Sequence, residues 1–145
     1  MILGTGLDLV SVDRFEKFRE RRGQRGLQRL FTASELDYCL RRAGATSSLA
    51  VRFAAKEAFF KALGTGMGPA GGWRDVEVVR LASGRPRLML HGRAAAVAHE
   101  VKVKSIHLSL THTDELAGAV VVLEAEKMQR RDPPLRGTKG VATLG

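Results

Sequence analysis

A chain of 145 residues, 44% of them hydrophobic, has the size and apolar content of one domain, and it holds no run near the roughly 20 apolar residues that a membrane-crossing helix needs. Its start, Met1-Ile2-Leu3-Gly4, lacks the basic opening and cleavage site of a secretory signal, so a cytoplasmic location is expected. The single cysteine, Cys39, excludes an internal disulfide or a cysteine pair for zinc and reads as a small core residue, while the formal charge of +9 favours an anionic partner: nucleic acid, a phosphorylated small molecule or an acidic protein.

Residues 2–10 alternate with period 2, Leu3, Leu7 and Leu9 on one side and Ile2, Asp8 and Val10 on the other, which predicts a strand carrying one carboxylate. Ser11 is placed to cap a helix over residues 12–22 that Gly23 stops. Residues 13–29 concentrate seven basic side chains against three acidic ones. Thr32-Ala-Ser-Glu35 has the capping-box pattern and opens a second helix through Arg42, ending near Gly44. A third helix follows from Ser48 to Leu63, with Gly64 placed to end it.

Residues 64–72 are too rich in glycine and proline for regular structure and read as a loop. A strand over 73–81, a turn at Ser83-Gly84-Arg85-Pro86 and a strand over 87–90 make a hairpin. Residues 92–103 read as a helix, and 106–111 and 117–123 as strands; the last is apolar on both faces and is expected to be central. Residues 125–145, with five basic and two acidic side chains, Pro133-Pro134 and no apolar periodicity, read as a flexible tail beyond a domain over 1–124. The sum is a single α+β domain with a mixed or antiparallel sheet and about four helices.

On the third helix Leu49, Phe53, Phe60 and Leu63 share one stripe, and Ala54, Ala58 and Ala62 form a small-residue stripe opposite, where another backbone can approach. Lys56 falls on the aromatic stripe, so its amine either snorkels out or meets a buried anion. Glu57 and Lys61, four apart, lie between the stripes. They are either a surface ion pair or, joined to Asp8, a site in which two carboxylates hold a hard divalent cation while Lys56, Lys61 and the amides of the Gly64-Thr65-Gly66 loop meet phosphate.

Gly6-Leu-Asp8-Leu-Val10, then Arg52-Phe-Ala-Ala-Lys-Glu57-Ala-Phe-Phe-Lys61-Ala-Leu-Gly-Thr-Gly66, then His107-Leu-Ser-Leu-Thr-His112 resemble, in order and spacing, the signature motifs of the holo-acyl-carrier-protein synthase type of 4′-phosphopantetheinyl transferase. Gly84-Arg85-Pro86 is similar to that family's Gly-Lys-Pro turn, with arginine in place of lysine. The likeness spans roughly residues 1–124. It implies the transferase fold and transfer of the 4′-phosphopantetheine arm of coenzyme A to a serine of an acidic acyl carrier protein, with release of adenosine 3′,5′-bisphosphate.

By the same resemblance Asp8 and Glu57 hold Mg²⁺ or Mn²⁺, and Lys61 faces the pyrophosphate. Arg52, Lys56, Gly64, Thr65, Gly66, Thr111 and the Arg85-Pro86 turn belong to the coenzyme A site. Arg14, with Arg21 and Arg22 two turns on, meets the carrier protein, and the molecule is a homotrimer with active sites between subunits. The base that takes the serine proton is a metal-bound water, Asp8 or His112; the alternative for His112 is a core position beside Leu108 and Leu110. A basic nucleic-acid-binding module without catalytic activity is the rival that +9 suggests, set against the absence of any helix-turn-helix, zinc-finger or ribonucleoprotein motif.

Overall fold

A computed structural model describes residues 1–126. The chain order is β1 (Ile2–Ser11), α1 (Val12–Leu30), α2 (Ala33–Leu40), α3 (Ala45–Leu63), a 3₁₀ turn (Trp73–Asp75), β2 (Val76–Arg80), β3 (Pro86–Leu90), α4 (Gly92–Glu100), β4 (Val103–His112) and β5 (Leu116–Ala125). Every strand pairing described is antiparallel, and the strands divide into a three-stranded sheet ordered β1-β5-β4 and the β2-β3 hairpin. The expected central strand is β5, hydrogen-bonded to β1 along one edge and to β4 along the other. It continues through Ala125; residues 127–145 of the expected tail lie outside the described residues. Among the described residues no helix is long and apolar enough to cross a membrane.

The α3 helix is the axis of the fold. Eleven of its nineteen residues are buried, so it has no true solvent face and is clasped by the sheet, α2 and the hairpin. Gly4 and Gly6 of β1 let that strand lie directly on α3: a Cβ at either position would run into the carbonyl of Ala62 or Ala58. The backbone that approaches the small-residue stripe is therefore β1, which lies on it at Ala58 and Ala62. The faces of β1 follow: Gly6 and Asp8 point at α3, while Leu7 and Leu9 stand 60% and 63% exposed on the open side of the sheet.

Ser11 caps α1 as expected, its hydroxyl accepting from the Arg14 amide at 3.2 Å. Gly23 does not end the helical segment. Its φ of 60° and ψ of −154° break the geometry there, and the chain resumes helical turns to Leu30. Only glycine takes that conformation cheaply, and the second half earns its place by burying Gly26 and Leu27 against the Phe15/Phe31 cluster. The capping box of Thr32 and Glu35 is formed on both sides. Cys39 is fully buried and accepts from the Ser48 hydroxyl at 3.3 Å.

Candidate active site

The strand β1 and helix α3 bring Asp8, Glu57 and Lys61 together. Asp8 points inward between Leu7 and Leu9 and is only 8% exposed. Its Oδ1 accepts from Lys61 Nζ at 2.7 Å, and the same ammonium donates to the Leu7 carbonyl at 3.1 Å. Partial burial pushes the Glu57 carboxyl above the usual carboxylate range, the negative charge of Asp8 pushes it further, and Lys61 pulls it back. The Lys61 amine is raised, chiefly by its hydrogen bond to Asp8. Glu57 and Lys61 are thus no isolated surface pair; they form a triad with a carboxylate 49 positions away from Glu57 in sequence.

Two carboxylates so placed that the charge of Asp8 raises the proton affinity of Glu57, with one ammonium beside them, leave a negative excess in a half-enclosed place. Among the described residues no third acidic, histidine or cysteine side chain joins them. Two oxygen donors from the protein suit a small hard cation that keeps water and substrate phosphate as its other ligands, rather than a fully caged ion.

Glu57 stands between two pockets. One, of about 360 Å³, is lined by Asp8, Arg14, Phe15, Phe18, Phe53 and Glu57 among others. The other, of about 400 Å³, is lined by Glu57, Phe60, Lys61, Gly64, Gly66, Met67 and Trp73. A third hollow of about 920 Å³ collects Arg21, Arg22, Arg25, Arg29 and Arg74; it shares Phe18 and Leu30 with the first pocket and Trp73 with the second. Through these shared walls the three adjoin one another as a trough, with Asp8 and Glu57 lining the first pocket and five arginines the third.

Other expected site residues lie elsewhere. Lys56 has no exposed side chain and meets a buried anion, but that anion is Glu35, at 2.7 Å. Its other protons go to the carbonyls of Val76 and Trp73 at 2.5 and 3.2 Å. A lysine so enclosed does not face the trough, which corrects its assignment to a phosphate. Arg52 is also buried, about 140° around α3 from Glu57, five residues away. It donates to the Ser48 carbonyl and hydroxyl and lies 4.5 Å from the Tyr38 ring centre, with Arg42 and Arg80 over the same ring. Arg85 and Pro86 belong to the exposed tip of the hairpin, where Gly84 takes a φ of 87° and Arg80 grips its carbonyl.

Thr111 and His112 end β4, both exposed, opposite Gly118 and Ala117. The core alternative for His112 is thereby excluded. Neither residue lines the two pockets that share Glu57. Three neighbours of the site carry no such mark in the sequence: Glu35 reads as a cap residue only, Arg74 as one charge in a strand, and Trp73 as that strand's first residue. The sole tryptophan directly after a glycine-rich loop was the available signal for it.

The model of the 4′-phosphopantetheinyl transferase superfamily matches residues 4–121. The chain is 48% identical over 124 residues to the holo-[acyl-carrier-protein] synthase of Koribacter versatilis, covering 86% of this chain and 99% of that protein. The fold is similar to the crystal structure of holo-[acyl-carrier-protein] synthase from Neisseria meningitidis, with a TM-score of 0.80, 33% identity and coverage of 86% of this chain and 99% of the other. It is also similar to the Bacillus anthracis enzyme in complex with CoA (3′,5′-ADP), with a TM-score of 0.72, 34% identity and coverage of 87% and 99%. Charge by itself left a nucleic-acid-binding module open, and the family match decides against it. With signature motifs, fold and sequence in agreement over residues 4–121, the chain belongs to the holo-acyl-carrier-protein synthase family of the 4′-phosphopantetheinyl transferase superfamily.

Proposed function

We propose that this protein carries the 4′-phosphopantetheine arm from coenzyme A to a serine hydroxyl of an acidic apo acyl carrier protein, at the place where Asp8, Glu57 and Lys61 meet. The observation that carries the reading is the convergence of a buried strand carboxylate, a helix carboxylate with a raised pKa and a lysine, beside a glycine loop. Asp8 and Glu57 would hold Mg²⁺, or Mn²⁺ in its place, and when bound the ion supplies charge neutralisation for the diphosphate. The serine oxygen forms the new bond to the β-phosphorus, the bond from that phosphorus to the bridging oxygen breaks, and adenosine 3′,5′-bisphosphate leaves with the electron pair. Lys61 offers its ammonium to the charge that gathers on the leaving side. Phosphoryl transfer asks for positioning and charge more than for covalent help, which this set of residues supplies.

Amides of Gly64, Thr65 and Gly66 suit the pyrophosphate, because that loop borders the pocket holding Lys61. Arg14, in the same pocket as Asp8, and Arg21 and Arg22, in the arginine hollow, suit an acidic carrier protein approaching along α1. Asp8 and His112 are the protein groups suited to take the serine proton. A homotrimer fits the open face of the sheet, where Leu7, Leu9, Leu116 and Val120 are 40–63% exposed. Thr111 and His112 at the end of β4 would then serve a neighbouring copy's site, and a cytoplasmic location suits the substrates.

The test is incubation with an apo carrier protein, coenzyme A and Mg²⁺, followed by mass spectrometry. The expected result is a phosphopantetheine increment on the carrier, lost on chelation and reduced at least about 100-fold in Asp8→Ala and Glu57→Ala. Mg²⁺ should also raise the Tm of the native protein and leave both variants unmoved. Full transfer in the presence of chelator would refute the metal, and full transfer by both variants would refute the site.

A further inference from the structure

We propose that Lys56 is a positioning residue for this transfer, acting through Trp73, whose ring it helps to hold as the common wall of the arginine hollow and the glycine-loop pocket; the inference rests on the function proposed above. An ammonium has three protons, and all three are used: Glu35 Oε1 at 2.7 Å, the Val76 carbonyl at 2.5 Å and the Trp73 carbonyl at 3.2 Å. An enclosed ion pair is weak evidence of stabilisation, since two apolar side chains of similar volume often serve a core as well. What a methionine at position 56 could not do is grip a backbone carbonyl at the far end of the glycine loop. That loop carries Gly64, Gly66, Gly68, Gly71 and Gly72, and a chain so rich in glycine has many conformations to lose.

The ring of Trp73 is fixed from the same helix. Phe53 lies 5.0 Å away and Phe60 5.9 Å away, centre to centre, and they flank Lys56 three positions before and four after it on one face of α3. Glu57 is the next residue along. One helix thus presents the catalytic carboxylate and the three groups that set Trp73. Trp73 lines both the hollow where the carrier would dock and the pocket beside Lys61 where coenzyme A would lie. The arm must cross between them, and the position of this ring sets the crossing.

Trp73 is the only tryptophan, so its emission reports on the wall directly. The probe variant is Lys56→Met/Glu35→Gln, which leaves no unpaired buried charge and keeps an acceptor for the Val78 amide that Glu35 now satisfies at 3.0 Å. The expected result is a red-shifted, more quenchable emission and about a tenfold fall in kcat/KM for coenzyme A. Trp73→Ala should show a similar fall, Trp73→Phe should stay within about threefold of native, and adding the Lys56/Glu35 changes to Trp73→Ala should cost less than about threefold more. A folded double variant with native emission and native kcat/KM overturns the proposal, as do losses that multiply. Should the double variant fail to fold, Trp73→Ala decides: transfer at the native rate overturns the proposal, and a loss that Trp73→Phe restores supports it. If the native protein transfers nothing to any carrier, the proposed function fails, and the emission of the double variant still judges the coupling, a red shift supporting it and an unchanged spectrum overturning it.

Discussion

Gly6 and Asp8 do their work together. With no side chain at position 6, β1 settles onto the backbone of α3 at Ala58, and that closeness is what carries the Asp8 carboxylate to within reach of Lys61 and the field of Glu57. A methyl group at position 6 would have to push backbone, not a pliable side chain. Gly6→Ala is therefore expected to destabilise by at least about 3 kcal/mol, at the upper end for overpacking, and to abolish transfer even where the protein still folds. Urea denaturation of the variant checks it, and native stability would mean that the strand and helix are not packed this closely.

At the level of elements, a polar cluster fastens α2 to the hairpin and α4. Glu77 of β2 is buried; it accepts from the Thr32 hydroxyl at 2.5 Å and Ser34 at 3.2 Å, and its Oε1 lies 3.2 Å from His91 Nε2. Burial alone would raise its pKa, but the hydrogen bonds from Thr32, His91 and Ser34 outweigh it and hold the carboxyl below the ordinary value. A carboxyl that binds its proton less tightly folded than unfolded contributes stability above its unfolded pKa, near 4.3, and loses it as the pH falls through the lower folded value. Glu77→Gln is expected to lower Tm at pH 7 and to flatten the loss of Tm below about pH 4.3. Thermal melts from pH 3 to pH 7 would show it; a variant whose acid limb matches the native one would place the acid sensitivity elsewhere.

For the whole molecule, one face of the β1-β5-β4 sheet packs on α3 and the other presents Leu7 and Leu9 to solvent. If three copies cover that face, Leu9→Glu should convert the trimer to monomers in sedimentation and cut transfer about tenfold or more, because a charge cannot be buried there without a partner. A variant that stays trimeric would put the interface elsewhere. The arginines of α1 are the docking surface proposed for the carrier protein. Arg14→Glu is expected to raise KM for the carrier protein about tenfold at low salt while leaving that for coenzyme A nearly unchanged, and the gap should narrow as salt screens the attraction. Equal effects on both substrates would reject the docking surface.

What the sequence determined by itself was local: the period-2 strand around Asp8, the Ser11 cap, the Thr32/Glu35 box, the glycine at the end of α3, the central place of β5, and the motifs that mark the family. Each follows from spacing or from backbone chemistry within a few residues, and the pairing of Asp8 with Glu57 and Lys61 was legible because a carboxylate in an apolar strand demands a partner. Tertiary structure decided the rest. Whether Lys56 meets a phosphate or Glu35 depends on where α2 lies, and which backbone the alanine stripe admits depends on two glycines some fifty residues away. The second half of α1 persists beyond Gly23 because Leu27 finds the core there. Such outcomes rest on contacts between segments distant in the chain, and neither propensity nor periodicity carries that information.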